Sequence, residues 1–147
     1  YKFSRMNKKE PVSKIMTKEV ITLTLRDSLF KAEKLFNKYH IRHIPVVRGD
    51  KILGMLSLTD LKRLSFVDSY DDSSNADTAI YNMLSIGHVM ASNPVKVSST
   101  SIIKDVASLL ASKEFHALPV VDDEKLVGIV TTTDLLNYLI NICDGKD

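Results

Sequence analysis

The 147-residue chain has one cysteine, no tryptophan, five glycines and no long apolar run. Each shortage excludes something. A lone cysteine, Cys143, cannot close an internal disulfide, so nothing calls for an oxidising compartment. Crossing a bilayer takes about 20 consecutive apolar residues, and no stretch approaches that, so no membrane association is expected. The first ten residues are polar and lysine-rich and lack the apolar core of a secretory signal; a cytoplasmic protein is expected. Acidic and basic residues nearly cancel, 18 against 20, leaving a net charge of +2. That is too little to argue for nucleic acid or an anionic membrane as partner. Glycine-rich phosphate loops of the P-loop or dinucleotide type are missing, as is a Gly-x-Ser-x-Gly nucleophile elbow. Histidine, cysteine and aspartate nowhere take zinc-ligand spacing. With no catalytic constellation in view, the chain is expected not to be an enzyme, to hold no metal and to require no cofactor.

What the chain does have is a repeat. Shifted by 74 positions it overlays itself without a gap: Met16 falls on Met90, Leu35 on Leu109, Pro45-Val46-Val47 on Pro119-Val120-Val121, Lys51 on Lys125, Gly54 on Gly128, and Thr59-Asp60-Leu61 on Thr133-Asp134-Leu135. Two identical triplets at one constant offset are not chance, and repeats of this kind decide the fold. The units span 12–66 and 86–142, with a tail at 1–11, an acidic linker and short helix at 67–85, and a tail at 143–147.

Both units carry the same pattern. A short turn leads to a β-like run (20–24; 95–98). A helix follows, capped by Asp27 or Ser28 in the first unit and by Ser101 in the second, with Leu29, Ala32, Leu35 and Phe36 or Ile103, Val106, Leu109 and Leu110 at helical spacing. Two strand-like runs then form a hairpin, turning at Arg48-Gly49-Asp50 or at 122–124, where Gly49 supplies a positive φ. A last helix begins near Asp60 or Asp134. The expected class is α+β, two β-α-β-β-α repeats. A unit of this size buries little apolar surface alone, so the two are expected to pack through their sheets about a pseudo-twofold axis.

The run Ile41-Arg42-His43-Ile44-Pro45-Val46-Val47, with Gly54-Met55-Leu56-Ser57-Leu58-Thr59-Asp60-Leu61 and its copy from Gly128 to Leu135, resembles the cystathionine β-synthase (CBS) domain. The resemblance covers nearly all of the chain outside the tails and linker. It implies a tandem pair that binds AMP, ADP, ATP or S-adenosylmethionine in clefts between the repeats, forms a homodimer and regulates a partner it does not identify. By resemblance, Asp60 and Asp134 grip the ribose diol, with Ser57, Thr59, Thr131 and Thr133 beside them, while Arg42, His43 and His116 face the phosphates. The base walls would come from Met16, Ile21, Ile41 and Ile129 at the Asp134 cleft, and from Met90, Val95, Phe115 and Met55 at the Asp60 cleft.

The residues support part of this on their own terms. A strand end that opens a helix offers free N–H groups and the positive end of the helix dipole to an anion. A carboxylate there can accept from both hydroxyls of a ribose, and an arginine can bind phosphate with two donors. The plain structural alternative makes Thr59 and Thr133 N-caps, the aspartates first-turn acids, Arg42 a solvated charge and the histidines half-buried packing residues. A structural or dimerisation pair with empty clefts is the first alternative function. The second is a regulatory piece of a longer transporter, channel or nucleotide-pathway enzyme, to which the opening on Tyr1 rather than methionine points.

Overall fold

The computed structural model describes residues 9–65, 79–113 and 115–145. Most of the expected N-terminal tail and the acidic linker lie outside them. The chain divides into two compact units: Ile21–Pro94, here the Asp60 unit, and Tyr1–Val20 with Val95–Asp147, here the Asp134 unit.

The Asp60 unit is built around helix α1 (Leu29–Tyr39). Ser28 is extended and caps it by accepting a hydrogen bond from the Lys31 N–H at 3.1 Å. The helix ends at His40, whose φ of 53° is left-handed. Its buried stripe, Leu29, Ala32 and Phe36, packs on Leu23, Ile44, Val46, Leu56, Leu61 and Ile86. Strands β1 (His43–Arg48) and β2 (Lys51–Ser57) form the antiparallel hairpin, with a bulge between Val46 and Val47 and Gly49 at φ +62° in the turn. Helix α2 (Leu58–Ser65) follows β2 without a loop. Residues 79–83 are helical, and a one-turn helix, α3 (Ile86–Val89), leads into β3 (Ala91–Ser92), which adds to the edge of β2.

The β-like run at 20–24 contributes only one bridge. The Leu23 N–H donates to Pro45 O at 3.0 Å, and the Val47 N–H donates to Leu23 O at 2.8 Å. The run stops there because Asp27 Oδ2 accepts from the Thr24 N–H at 2.8 Å and turns the chain into the helix.

The Asp134 unit repeats this plan. Helix α4 (Ile103–Lys113), strands β4 (Ala117–Asp122) and β5 (Lys125–Thr131) and helix α5 (Thr132–Cys143) enclose Val106, Leu110, Leu118, Val120 and Val130. The hairpin bulge recurs between Val120 and Val121. In the run at 95–98, Val97 alone makes a bridge, to Val120. Ser101 accepts from the Ser98 N–H at 3.0 Å, the task Asp27 has in the other unit, and the helix starts at Ile103. The hairpin turn holds Asp123 and Glu124 at φ 50° and 66°. The fully buried Val12 completes the core from a 3-10 turn, Val12–Lys14, which is fastened by the Val12 N–H to Ser101 O at 2.7 Å. The leading turn of each sequence repeat is thus built onto the hairpin of the other repeat.

Among the described residues, three carboxylates are held below their ordinary range. Burial alone would raise the Asp27 carboxyl, but bonds from the Thr24 backbone and the Lys31 ammonium outweigh it. Glu10 is lowered by Lys14 and by the Tyr138 hydroxyl, and Asp122 by the Ser99 hydroxyl and N–H. A depressed folded-state pKa gives stability that is fully present above the unfolded value and is lost as pH falls through the folded value. The contribution of these three carboxylates to stability should therefore be flat near neutrality and fall below about pH 4.5. Asp27→Asn should cost about 1 kcal/mol at pH 7 and flatten that acid fall, as urea unfolding at pH 7 and pH 3 would measure. An unchanged acid fall in the variant would contradict the assignment.

Candidate functional site

Ser57 is the last residue of β2 and Thr131 the last of β5, and each runs straight into its helix. Because no loop intervenes, the cap falls two residues earlier than Thr59 and Thr133. Ser57 Oγ accepts from the Asp60 N–H at 3.0 Å, and Thr131 Oγ1 accepts from the Asp134 N–H at 3.1 Å. Thr59 and Thr133 are exposed on the first turn. Such a cap satisfies one of the helix's unpaired N–H groups and fixes where the aspartate stands.

The surroundings of the two carboxylates differ. Asp134 Oδ2 accepts from the Thr131 N–H at 3.0 Å, closing a reciprocal capping box. Both of its oxygens also accept from Thr17 Oγ1, each at 3.4 Å. Thr17 is pinned to β5 by two backbone bonds with Ile129, at 2.8 and 2.9 Å. Nothing in the sequence singled out Thr17; its place depends on the leading segment lying against β5. In the Asp60 unit, Asp60 Oδ1 accepts from Arg63 Nη1 at 3.3 Å. Arg63 was not expected here either, although its spacing of three residues on a helix was a usable signal.

Gly54 and Gly128 allow the leading segments to approach this closely. A Cβ on Gly54 would stand 2.5 Å from Met90 Sδ and 2.8 Å from Ala91 O, and one on Gly128 would stand 2.8 Å from Met16 Sδ and 3.0 Å from Thr17 O. Met90 and Met16 are thereby placed on the hairpins that carry Asp60 and Asp134, together with the buried Met55 and Ile129.

Arg42 immediately precedes β1, exposed, and its carbonyl accepts from the Leu58 N–H at 2.8 Å; His43 begins β1, half-buried. His116 immediately precedes β4, exposed, and its carbonyl accepts from the Thr132 N–H at 3.0 Å. The remaining base-wall candidates divide by unit: Ile21 and Ile41 belong to the Asp60 unit, Val95 and Phe115 to the Asp134 unit. Among the described residues no group of His, Cys, Asp and Glu could hold a metal ion, and no helix is long and apolar enough to cross a membrane.

The hairpin, strand-end cap and first-turn aspartate occur twice, and the model of the CBS domain matches residues 12–66 and 86–141. The chain belongs to the CBS domain family. A CBS domain-containing protein of Dictyostelium discoideum is 31% identical over 136 residues, covering 90% of this chain and 93% of that protein. Among solved structures, CBSX2 in complex with AMP is 25% identical, covers 90% of this chain and 98% of its own, and superposes with a TM-score of 0.75. The CBS domain pair of protein MJ0100 in complex with 5'-methylthioadenosine and S-adenosyl-L-methionine is also 25% identical, covers 90% and 97%, and gives a TM-score of 0.74. The CBS pair also matches 13–23% of the length of three larger enzymes, so pairs of this kind occur within longer proteins as well.

Proposed function

We propose that this CBS pair is a regulatory, non-catalytic module that senses an adenosine-containing ligand, AMP, ADP, ATP or S-adenosylmethionine, with Asp60 and Asp134 as the ribose-binding carboxylates. The observation that carries the reading is the placement of Asp134. Its carboxylate is fixed at a strand-to-helix junction by Thr131 and Thr17. A carboxylate offers about four lone-pair sites, so capacity is left for a diol. The complexes of CBSX2 and the MJ0100 pair with adenosine compounds support the same class of ligand. Phosphate would be met by Arg42, His43 and His116, and the base by Met16, Ile21, Ile41, Ile129, Met55, Met90, Val95 and Phe115. Binding would favour whichever conformation holds the ligand better and so signal to a partner. We further propose a cytoplasmic homodimer: Leu136, Leu139 and Ile140 stand exposed on α5, an apolar face suited to a second copy.

A thermal-shift panel of AMP, ADP, ATP with and without Mg²⁺, S-adenosylmethionine and GTP tests the reading. A ligand at 100 times its Kd should stabilise the fold by about 2.7 kcal/mol. One of the two changes, Asp134→Ala or Asp60→Ala, should abolish the shift and so identify its aspartate's site as the one that binds. If no adenosine compound shifts the wild type, the sensing function is wrong and a structural pair takes its place.

A further inference from the structure

The two carboxylates occupy matching positions in matching units, yet their neighbours differ at two of the positions related by 74 residues. Thr17, hydrogen-bonded to both oxygens of Asp134, is matched by Ala91, which has no hydroxyl. Ala91 pairs with Met55 in β2 as Thr17 pairs with Ile129 in β5, so it holds the same place on the sheet. Arg63, bonded to Asp60, is matched by Asn137. Among the described residues, the Asp60 carboxylate has Arg63 as its partner, whereas Asp134 has Thr131 and Thr17.

We infer that the two sites are not equivalent: Asp134, held by the positioning residue Thr17, takes the ribose first, and Asp60 is weakened as a ribose acceptor by Arg63. This rests on the ribose-binding reading above. A ribose diol brings two donors and needs acceptors. The Thr17 hydroxyl shares one proton between the two carboxylate oxygens, which orients the group, and its own oxygen can still accept. A guanidinium is donor-only; the diol at Asp60 has to compete with it. Arg63 is three-quarters exposed, and its pair with Asp60 is an ordinary i,i+3 helix contact. Such exposed pairs correspond to an effect of up to about fivefold on binding. The bonds from Thr17 are long, so their loss corresponds to roughly three- to tenfold.

The test is a calorimetric titration of the whole chain with AMP, read for a tighter and a weaker step, with thermal shift alongside. Asp134→Asn should remove the tighter step and Asp60→Asn the weaker. Thr17→Ala should weaken the tighter step roughly three- to tenfold and leave the weaker one in place, and Thr17→Ser should restore it, which a purely packing role for the threonine would not require. Arg63→Asn should tighten the weaker step by up to about fivefold. Loss of the tighter step in Asp60→Asn, or Thr17→Ala binding within twofold of wild type, would overturn the inference while leaving adenosine sensing intact. If neither AMP nor S-adenosylmethionine binds or stabilises the wild type, the sensing function fails and this inference fails with it. If AMP binds in a single step, the aspartate whose replacement removes it decides the order directly.

Discussion

Phe36→Ala should lower the unfolding free energy by about 3–5 kcal/mol. In a domain of this size that is a drop in Tm of roughly 10 °C. Phe36 is 2% exposed and lies at the end of the buried stripe of α1, against Leu23, Ile44, Leu56 and Leu61. Its removal takes the ring's burial away and leaves a void that close-packed neighbours fill only in part. Phe30, on the same helix, is the control. It is 42% exposed and meets Tyr81 edge-to-face at 5.0 Å, so Phe30→Ala should cost about 1 kcal/mol. Urea unfolding of the two variants decides the point. Equal costs would mean that α1 presents a different face to the core.

Gly54→Ala should destabilise by about 2–3 kcal/mol, an overpacking cost without any change in polarity. The added carbon meets Met90 Sδ, which can move, and Ala91 O, which is backbone and moves only with β3. Met90→Ala in the same chain should therefore recover part of the loss and not all of it. Gly49→Ala gives the comparison. Open space surrounds Gly49, and its φ of +62° is the obstacle, so the cost there is left-handed strain of about 1–2 kcal/mol, and Met90→Ala should not relieve it. A Gly54→Ala chain as stable as wild type would mean that β3 does not lie on β2 as described.

The repeat at 74 residues made the architecture legible before any coordinates. Each matched triplet fell on the same structural feature: Pro-Val-Val inside β1 and β4, Thr-Asp-Leu in the first turn of α2 and α5. Burial patterns followed, since Leu29, Ala32 and Phe36 face inward as their helical spacing requires. The positive φ at Gly49 was also legible from the turn chemistry. Three things were not. The caps fell on Ser57 and Thr131 because strand and helix join directly, and capping preference alone cannot tell which of several nearby hydroxyls ends a strand. The runs at 20–24 and 95–98 have strand-like composition but reduce to single bridges, because Asp27 and Ser101 capture the backbone N–H groups just beyond. Thr17 could not be found at all: its partner, Asp134, is 117 residues away, and no local pattern encodes a contact at that range. The matched glycines were visible as a pair, but their reason, the approach of Met16 and Met90, depends on the same long-range assembly.

That assembly has a kinetic side. The Asp60 unit is one uninterrupted stretch of chain, so its contacts close modest loops and it can form while the remainder is still being synthesised. The Asp134 unit draws on the beginning of the chain and on its end. Glu10 bonds to Tyr138 across 128 residues, and Thr17 reaches Asp134 across 117. Contacts of such high sequence separation are slow to find. Until β5 leaves the ribosome, Val12 has no complete core to enter, and the segment bearing Met16 and Thr17 has to wait in water. A nascent or truncated chain lacking β5 and α5 would hold a finished Asp60 unit and an unmade Asp134 unit, so the contact between Thr17 and Asp134 would form later than anything in the Asp60 unit.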